Sequence, residues 1–351
     1  MQRRKPAVKI SDQIKDKIKK SSEIGSRRKQ FDGNTETMIS TGSTLLDLAI
    51  SGGRIRGGGV PGGIFVEIFG PAGSGKTVLL CEIAGGVKRA GGEVMFNDPE
   101  ARLNKKFAKL FDLDVDKIEY GIPITVPEVF KPIRSWKPKN DKKINGIFAD
   151  SLAALSTDME LNDKDQYGMR RAKEFSEELR KTCRTLTQKN YLMVTSNQLR
   201  ENVGAVQFSP KYKSPGGHAI EFYSSLRLKV NILGKITKKK TVVGKEVKRI
   251  VGVTCEIEVF KSSVWEPYRK APLTIIFDYG IDSIRDELQF VKDYTQASIY
   301  SVGDSLLDKS MENSIVLVEE NNLERKLRNQ VIDLWEEIEA KFKVERKPKR
   351  R

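Results

Sequence analysis

Histidine is almost absent from this 351-residue chain. A single one, His218, leaves no room for a histidine-based triad or a His-rich metal centre. Cysteine is nearly as scarce. Cys81, Cys183 and Cys255 are too few and too scattered for a disulfide framework or a CxxC metal site. No apolar run approaches the roughly 18 residues that a membrane-spanning helix needs. The opening MQRRKPAVKI lacks the apolar stretch of a signal peptide. The chain is therefore expected to be reduced and cytoplasmic. Secreted hydrolases, membrane spans and zinc fingers are excluded as readings.

Excess acid is missing too. Lys and Arg number 63 against 47 Asp and Glu, for a formal charge of +16. A lysine-rich surface can serve solubility alone. These cations are clustered, however, at Arg3-Arg4-Lys5, Lys15 to Lys20, Arg27-Arg28-Lys29, Lys238-Lys239-Lys240 and Arg346 to Arg351. Such blocks fit a phosphate backbone, and no aromatic-rich amphipathic helix accompanies them to favour a lipid surface.

Three zones follow along the chain. Residues 1–35 form a basic N-terminal segment in which Ile10, Ile14 and Ile18 recur every four residues. That spacing gives a short helix one narrow apolar stripe, which must dock on its own core or on a neighbour and so suits oligomerisation. Residues 36–282 alternate short apolar β-type runs with helical stretches, at Ile64–Phe69, Glu93–Phe96, Ile147–Ala149 and Tyr191–Ser196. This pattern predicts an α/β core with a mostly parallel central sheet flanked by helices. Further strands are expected over Ile220–Val230, Ile250–Phe260 and Leu273–Phe277. Residues 283–351 read as a smaller helical region, strongest over Asn322–Phe342, ending in a basic tail.

The sharpest motif is Gly70-Pro71-Ala72-Gly73-Ser74-Gly75-Lys76-Thr77, a full G-x-x-x-x-G-K-[ST] match between an apolar strand and a helical run from Val78 to Ala90. Its glycines let backbone N–H groups curl around phosphates, and the helix N-terminus adds positive partial charge. Lys76 is placed to neutralise the β- and γ-phosphates of ATP, and the Thr77 hydroxyl to bind Mg²⁺.

Two further strands end in acids. Ile147-Phe148-Ala149 runs into Asp150, the expected second metal ligand. Val94-Met95-Phe96-Asn97 runs into Asp98-Pro99-Glu100. From position alone, Glu100 is either a water-activating base or a surface acid.

Taken with Ile39-Ser40-Thr41-Gly42-Ser43, Leu46-Asp47, Ser51-Gly52-Gly53, Asp150-Ser151, Asn197-Gln198-Leu199-Arg200, Gly216 to Tyr223, Lys261 and Pro267, this set resembles the RecA-type recombinases in order and spacing over about residues 38–282. The chain looks like a phage-encoded or otherwise divergent member. The resemblance implies a DNA-dependent ATPase that performs strand exchange in homologous recombination and repair. It implies a homo-oligomeric helical filament on single-stranded DNA that pairs with double-stranded DNA, with ATP and Mg²⁺ at subunit interfaces and no membrane partner. Loader or single-strand-binding proteins are compatible with it but leave no motif.

Position by position, the resemblance makes Lys76, Glu100, Gln198 and Lys261 catalytic: Glu100 activates water, Gln198 senses the γ-phosphate, and Lys261 reaches a neighbour's ATP. Gly70 to Thr77, Val78, Asn104, Phe107 and Phe277 would hold the nucleotide, with Phe107 where the family stacks an aromatic on adenine; Thr77 and Asp150 would hold the metal. Asn104 stands where the family commonly has an acid. DNA contacts would come from Met169, Ser176, Arg180, Arg200, Val203, Phe208, Lys211, Lys213, Gly216 and Gly217, in and beside two loops near residues 160–169 and 199–215. The chain departs from the bacterial pattern at Ser263, where a second lysine is usual, and in its basic rather than acidic tail. Two other readings share the phosphate loop: a helicase motor of the same fold, and a regulatory DNA-binding ATPase that pairs no strands.

Overall fold

In a computed structural model, the described residues are 37–157, 169–198, 200–201, 212–213 and 218–346. Their central sheet has nine strands. In chain order these are β1 (Phe65–Gly70), β2 (Val94–Asn97), β3 (Glu119–Gly121), β4 (Asn145–Ala149), β5 (Tyr191–Gln198), β6 (Leu226–Val242), β7 (Lys245–Ser262), β8 (Lys270–Ile276) and β9 (Gly280–Ile281). Across the sheet the order is β9-β8-β7-β6-β1-β5-β4-β2-β3. Pairings from β6 through to β3 are all parallel. Those from β6 to β9 are antiparallel. The expectation of a mostly parallel sheet holds, with an antiparallel flank built by the long β6–β7 hairpin. Its two-residue turn, Val243-Gly244, has both φ angles positive, at 50° and 75°, as a tight hairpin turn requires.

The helices are α1 (Thr44–Ser51), α2 (Lys76–Arg89), α3 (Lys105–Lys109), α4 (Val126–Ser135), α5 (Met169–Lys189), α6 (His218–Tyr223), α7 (Ser283–Thr295), α8 (Met311–Glu320) and α9 (Glu324–Lys341). Their starts follow local chemistry. The Ser43 hydroxyl accepts from Leu46 N, Asp282 from Arg285 N, and Thr125 and Glu128 form a reciprocal capping box. One stretch departs from expectation: Ile220 to Tyr223 is helix, and β6 begins only at Leu226. An apolar run this short reads equally well as helix or strand.

Strand residues alternate between two buried cores, one on each face. Leu192, Val194, Phe148 and Phe96 point into the first, which is shared with α1, α2, α7 and α9. Tyr191, Met193, Ile147 and Met95 point into the second, against α4 and α5. This period of two on strands covered on both faces explains why they read as continuous apolar runs. The first core also contains Leu288, Val291, Leu327, Val331 and Ile332. Residues 283–341 thus share the core of the sheet. Truncating a fully buried ring such as Phe148 would cost about 3–5 kcal/mol.

Among the described residues, no helix is long and apolar enough to cross a membrane.

Candidate active site

Strands β1, β2, β4 and β5 are parallel, so their carboxyl ends open on one edge of the sheet, where ligands of open α/β folds bind. A cleft of about 500 Å³ lies there. The loop after β1 forms its floor. Gly73 and Gly75 have φ of 71° and 83°, a conformation L side chains avoid, and Gly75 caps the start of α2. A Cβ built on Gly73 would meet nothing within 4 Å, whereas one on Gly75 would lie 2.2 Å from Ile275 Cδ1. Gly73 therefore faces open space where a phosphate can approach, and Gly75 is required by packing.

Lys76 is buried, and its Nζ donates to the carbonyls of Pro71 at 2.6 Å and Gly70 at 3.1 Å. Burial lowers its pKa, partly offset by Asp150. Thr77 Oγ1 donates to Asp150 Oδ2 at 2.6 Å. Ser196 of β5 donates to the other oxygen of the same carboxylate. A hydroxyl and a carboxylate held together at the head of a phosphate loop are hard oxygen donors, the set Mg²⁺ takes alongside phosphates and water. The buried Ser74 Oγ has no partner among the described residues, so the loop carries an unmet polar group. Thr77 and Asp150 thus fit a bound Mg²⁺.

Across the cleft, Glu100 is half-buried. Its Oε1 accepts from Ser151 Oγ at 3.2 Å, and its Oε2 lies 2.6 Å from Arg102 Nη1. The buried Asp98 organises this turn, accepting from Leu103 N at 2.7 Å and Tyr120 OH at 2.8 Å. Burial and then Asp98 push the Tyr120 hydroxyl up to about 12, so it stays a donor. Asn104 accepts from Lys106 N at 2.8 Å, capping α3 and seating Phe107 on the core edge against Phe111. Gln198 ends β5, exposed at the cleft.

The cleft therefore gathers Ala72 to Val78, Glu100, Asn104, Phe107, Asp150 and Gln198. Gly70 and Pro71 take part through the carbonyls that hold Lys76. Phe277 lies outside the lining, half-exposed beyond the end of β8. Lys261 lies outside it as well. Its Nζ donates to the carbonyls of Glu221 at 2.7 Å and Phe222 at 3.2 Å at the end of α6.

Of the expected DNA contacts, Ser176 and Arg180 stand four apart on α5, beside the buried Phe175 and Leu179. Met169 opens that helix. Arg200 and Lys213 belong to a short antiparallel pair. Val203, Phe208, Lys211, Gly216 and Gly217 lie outside the described residues, as does most of each expected DNA loop.

Sequence reasoning does not single out Arg102, Ser196 or the role of Asp98. Arg102 was findable as a cation two residues past a strand-end acid. Ser196 was not, because its contact depends on the neighbouring of β4 and β5.

A family model described as the RecA N-terminal domain matches residues 9–282. Protein RecA of Borrelia hermsii (strain HS1 / DAH) is 34% identical over 307 residues, covering 84% of this chain and 82% of that protein. Protein RecA of Thermus aquaticus is 34% identical over 251 residues, covering 71% and 69%. Protein RecA of Clostridioides difficile (strain 630) is 30% identical over 313 residues, covering 88% and 82%. With a phosphate loop, a strand-end acid and a second carboxylate converging at one sheet edge, and with these relatives along most of its length, the chain belongs to the RecA family.

Proposed function

We propose that the cleft at the carboxyl ends of β1, β2, β4 and β5 is the ATPase centre of this protein, with Glu100 as base and Lys76 on the phosphates. Membership of the family makes the chain a DNA-dependent ATPase of homologous recombination and strand exchange; what is proposed is which residues perform each step. The observation that carries the reading is the contact of Thr77 Oγ1 with Asp150 Oδ2 at 2.6 Å, facing Glu100 across the same cleft.

Backbone N–H groups of the loop and Lys76 hold the phosphates, and Thr77 and Asp150 would hold a bound Mg²⁺. When bound, the metal neutralises charge on the β- and γ-phosphate oxygens. Glu100 takes a proton from a water whose oxygen bonds to the γ-phosphorus. The bond to the bridging oxygen breaks, its electron pair leaving on ADP. Ser151, hydrogen-bonded to Glu100, fixes the carboxylate's orientation. Phe107 offers a ring to the base. Gln198 reads the γ-phosphate, since an amide can donate to it and pivot without changing charge. It lies on the strand that leads directly into the second DNA loop, so this read-out has a short path to DNA.

Ser176, Arg180, Arg200 and the loop residues contact single-stranded DNA, and copies of the chain assemble head to tail into a helical filament. Electron microscopy with single-stranded DNA and a slowly hydrolysed ATP analogue tests the assembly. A continuous helical filament is expected. A closed hexameric ring would instead favour a helicase motor built on the same site.

A further inference from the structure

We propose that Arg102 is a catalytic residue: a second cation, supplied by the same chain, that meets the transferring phosphoryl group. The inference rests on the ATPase centre proposed above.

Among the described residues lining the cleft, Lys76 and Arg102 are the cations, against the acids Asp98, Glu100 and Asp150. Lys76 is tied to the loop's own carbonyls. Arg102 is different. Its side chain is 77% exposed, and among the described residues its ion pair is with Glu100, at 2.6 Å. A guanidinium has five donors on a planar fork, so one carboxylate oxygen leaves most of that fork available to phosphate oxygens.

The backbone is built to present it. Ala101 adopts a φ of +51°, in the left-handed region that a non-glycine residue rarely takes. The turn is held in that state by Asp98, whose carbonyl accepts from Ala101 N at 3.0 Å and whose carboxylate accepts from Leu103 N. Strain of this kind persists where the surroundings over-determine it, often at ligand clamps. It places Glu100 and Arg102 on the same lip of the cleft.

The consequence is a competition. With no triphosphate present, Arg102 rests on Glu100. A γ-phosphate entering within water-bridging distance of Glu100 offers the guanidinium a stronger bidentate partner. Arg102 then moves to the equatorial oxygens, and Glu100 is released to take the proton of the attacking water. As the bond to the bridging oxygen breaks, the cation stabilises charge that develops on the transferring group and the leaving ADP.

The test compares binding of ADP with that of ADP–aluminium fluoride, a mimic of the phosphoryl-transfer transition state, on protein assembled with single-stranded DNA. Arg102→Ala should leave ADP affinity within about threefold and weaken ADP–aluminium fluoride and kcat by about 10²-fold, as loss of one preorganised donor does. Arg102→Lys should fall between, keeping the charge without the fork. In a Glu100→Gln background, Arg102→Ala should weaken the mimic by the same factor. No further loss there would overturn the proposal, because Arg102 would then act only through Glu100. Equal loss of ADP and the mimic would overturn it too, because the residue would then only hold the turn. Retention of ADP binding by Lys76→Ala would instead mean that the nucleotide site itself is misassigned, which separates the two failures.

Discussion

Arg227 Nε donates to Glu67 Oε2 at 2.6 Å, and both side chains are buried within the sheet, on neighbouring strands β6 and β1. The other oxygen of Glu67 accepts from Asn197 Nδ2 at 2.9 Å, one residue before Gln198. Arg227 also reaches Glu221 of α6 at 3.1 Å and lies over the rings of Phe69 and Phe260. A charged pair thus fastens the end of β5, which carries Gln198, to α6. Removing one partner of a buried pair strands the other, at about 3–5 kcal/mol. Glu67→Gln should therefore lower the midpoint of urea unfolding markedly. The double variant Glu67→Gln with Arg227→Met should recover much of the loss. If the double variant is no more stable than the single one, the two side chains are not energetically coupled.

The chemistry of the cleft separates binding from turnover. Lys76→Ala removes the point charge on the phosphates and should abolish ATP binding. Glu100→Gln keeps the shape and should leave ATP bound while slowing hydrolysis by about 10²–10⁴, the usual worth of a general base. Equilibrium binding of a fluorescent ATP analogue beside the DNA-stimulated rate distinguishes the two. Equal loss of affinity in both variants would sink the role given to Glu100.

Two buried carboxylates should make stability depend on pH in an unusual direction. Asp47, on α1, accepts from Ser40 Oγ, Thr41 N and Thr41 Oγ1 at 2.6, 2.7 and 2.8 Å, yet burial pushes its carboxyl up to about 6. Burial does the same to Asp286, also to about 6, although Thr274 donates to it twice. A folded state that holds its protons more tightly than the unfolded chain is most favoured below the unfolded carboxylate range. That contribution is lost as pH rises toward about 6, on the order of 3 kcal/mol per group. Melting temperature should therefore rise on moving from about pH 7 to about pH 5. Asp47→Asn keeps the shape and removes the titration, so part of this rise should disappear, the remainder coming from Asp286 and from Glu82 and Glu287, which burial also raises. An unaltered pH slope in that variant would show that Asp47 does not titrate there.

Much of the site was legible because phosphate binding needs specific residues at fixed spacing, and those residues are contiguous. Gly70 to Thr77, and acids such as Asp150 that end apolar strands, declare themselves in one dimension. The parallel sheet was legible for a similar reason, since strands covered on both faces leave continuous apolar runs. What stayed hidden depends on strand order. Ser196 meets Asp150 only because β5 lies beside β4, and Glu67 meets Arg227 across 160 residues of sequence. Neither neighbour is fixed by local pattern. The helix through Ile220 is not legible because three apolar residues around Glu221 carry too little periodicity to separate helix from strand.

Lys261 decides whether the active site is shared. Within one chain its ammonium is spent on the last carbonyls of α6, and burial together with Arg227 holds its pKa below the ordinary value. It lines no part of its own cleft. If ATP lies between subunits, this lysine meets the γ-phosphate held by a neighbour's Lys76 and stabilises charge as the phosphoryl group transfers. Lysine is a point charge without a planar fork, and Ser263 adds no second cation, so its worth should sit near the lower end of the range of about 10³–10⁵ for such groups. Capping of α6 is the competing role, and mixing separates the two. Lys261→Ala and Glu100→Gln should each be nearly inactive alone. In a filament assembled from equal amounts on DNA, about a quarter of the head-to-tail interfaces pair an intact Glu100 site with an intact Lys261. The ATPase rate should recover to that order. A lysine that only caps its own α6 confers nothing on a neighbour, so co-assembly without recovery would refute the shared site.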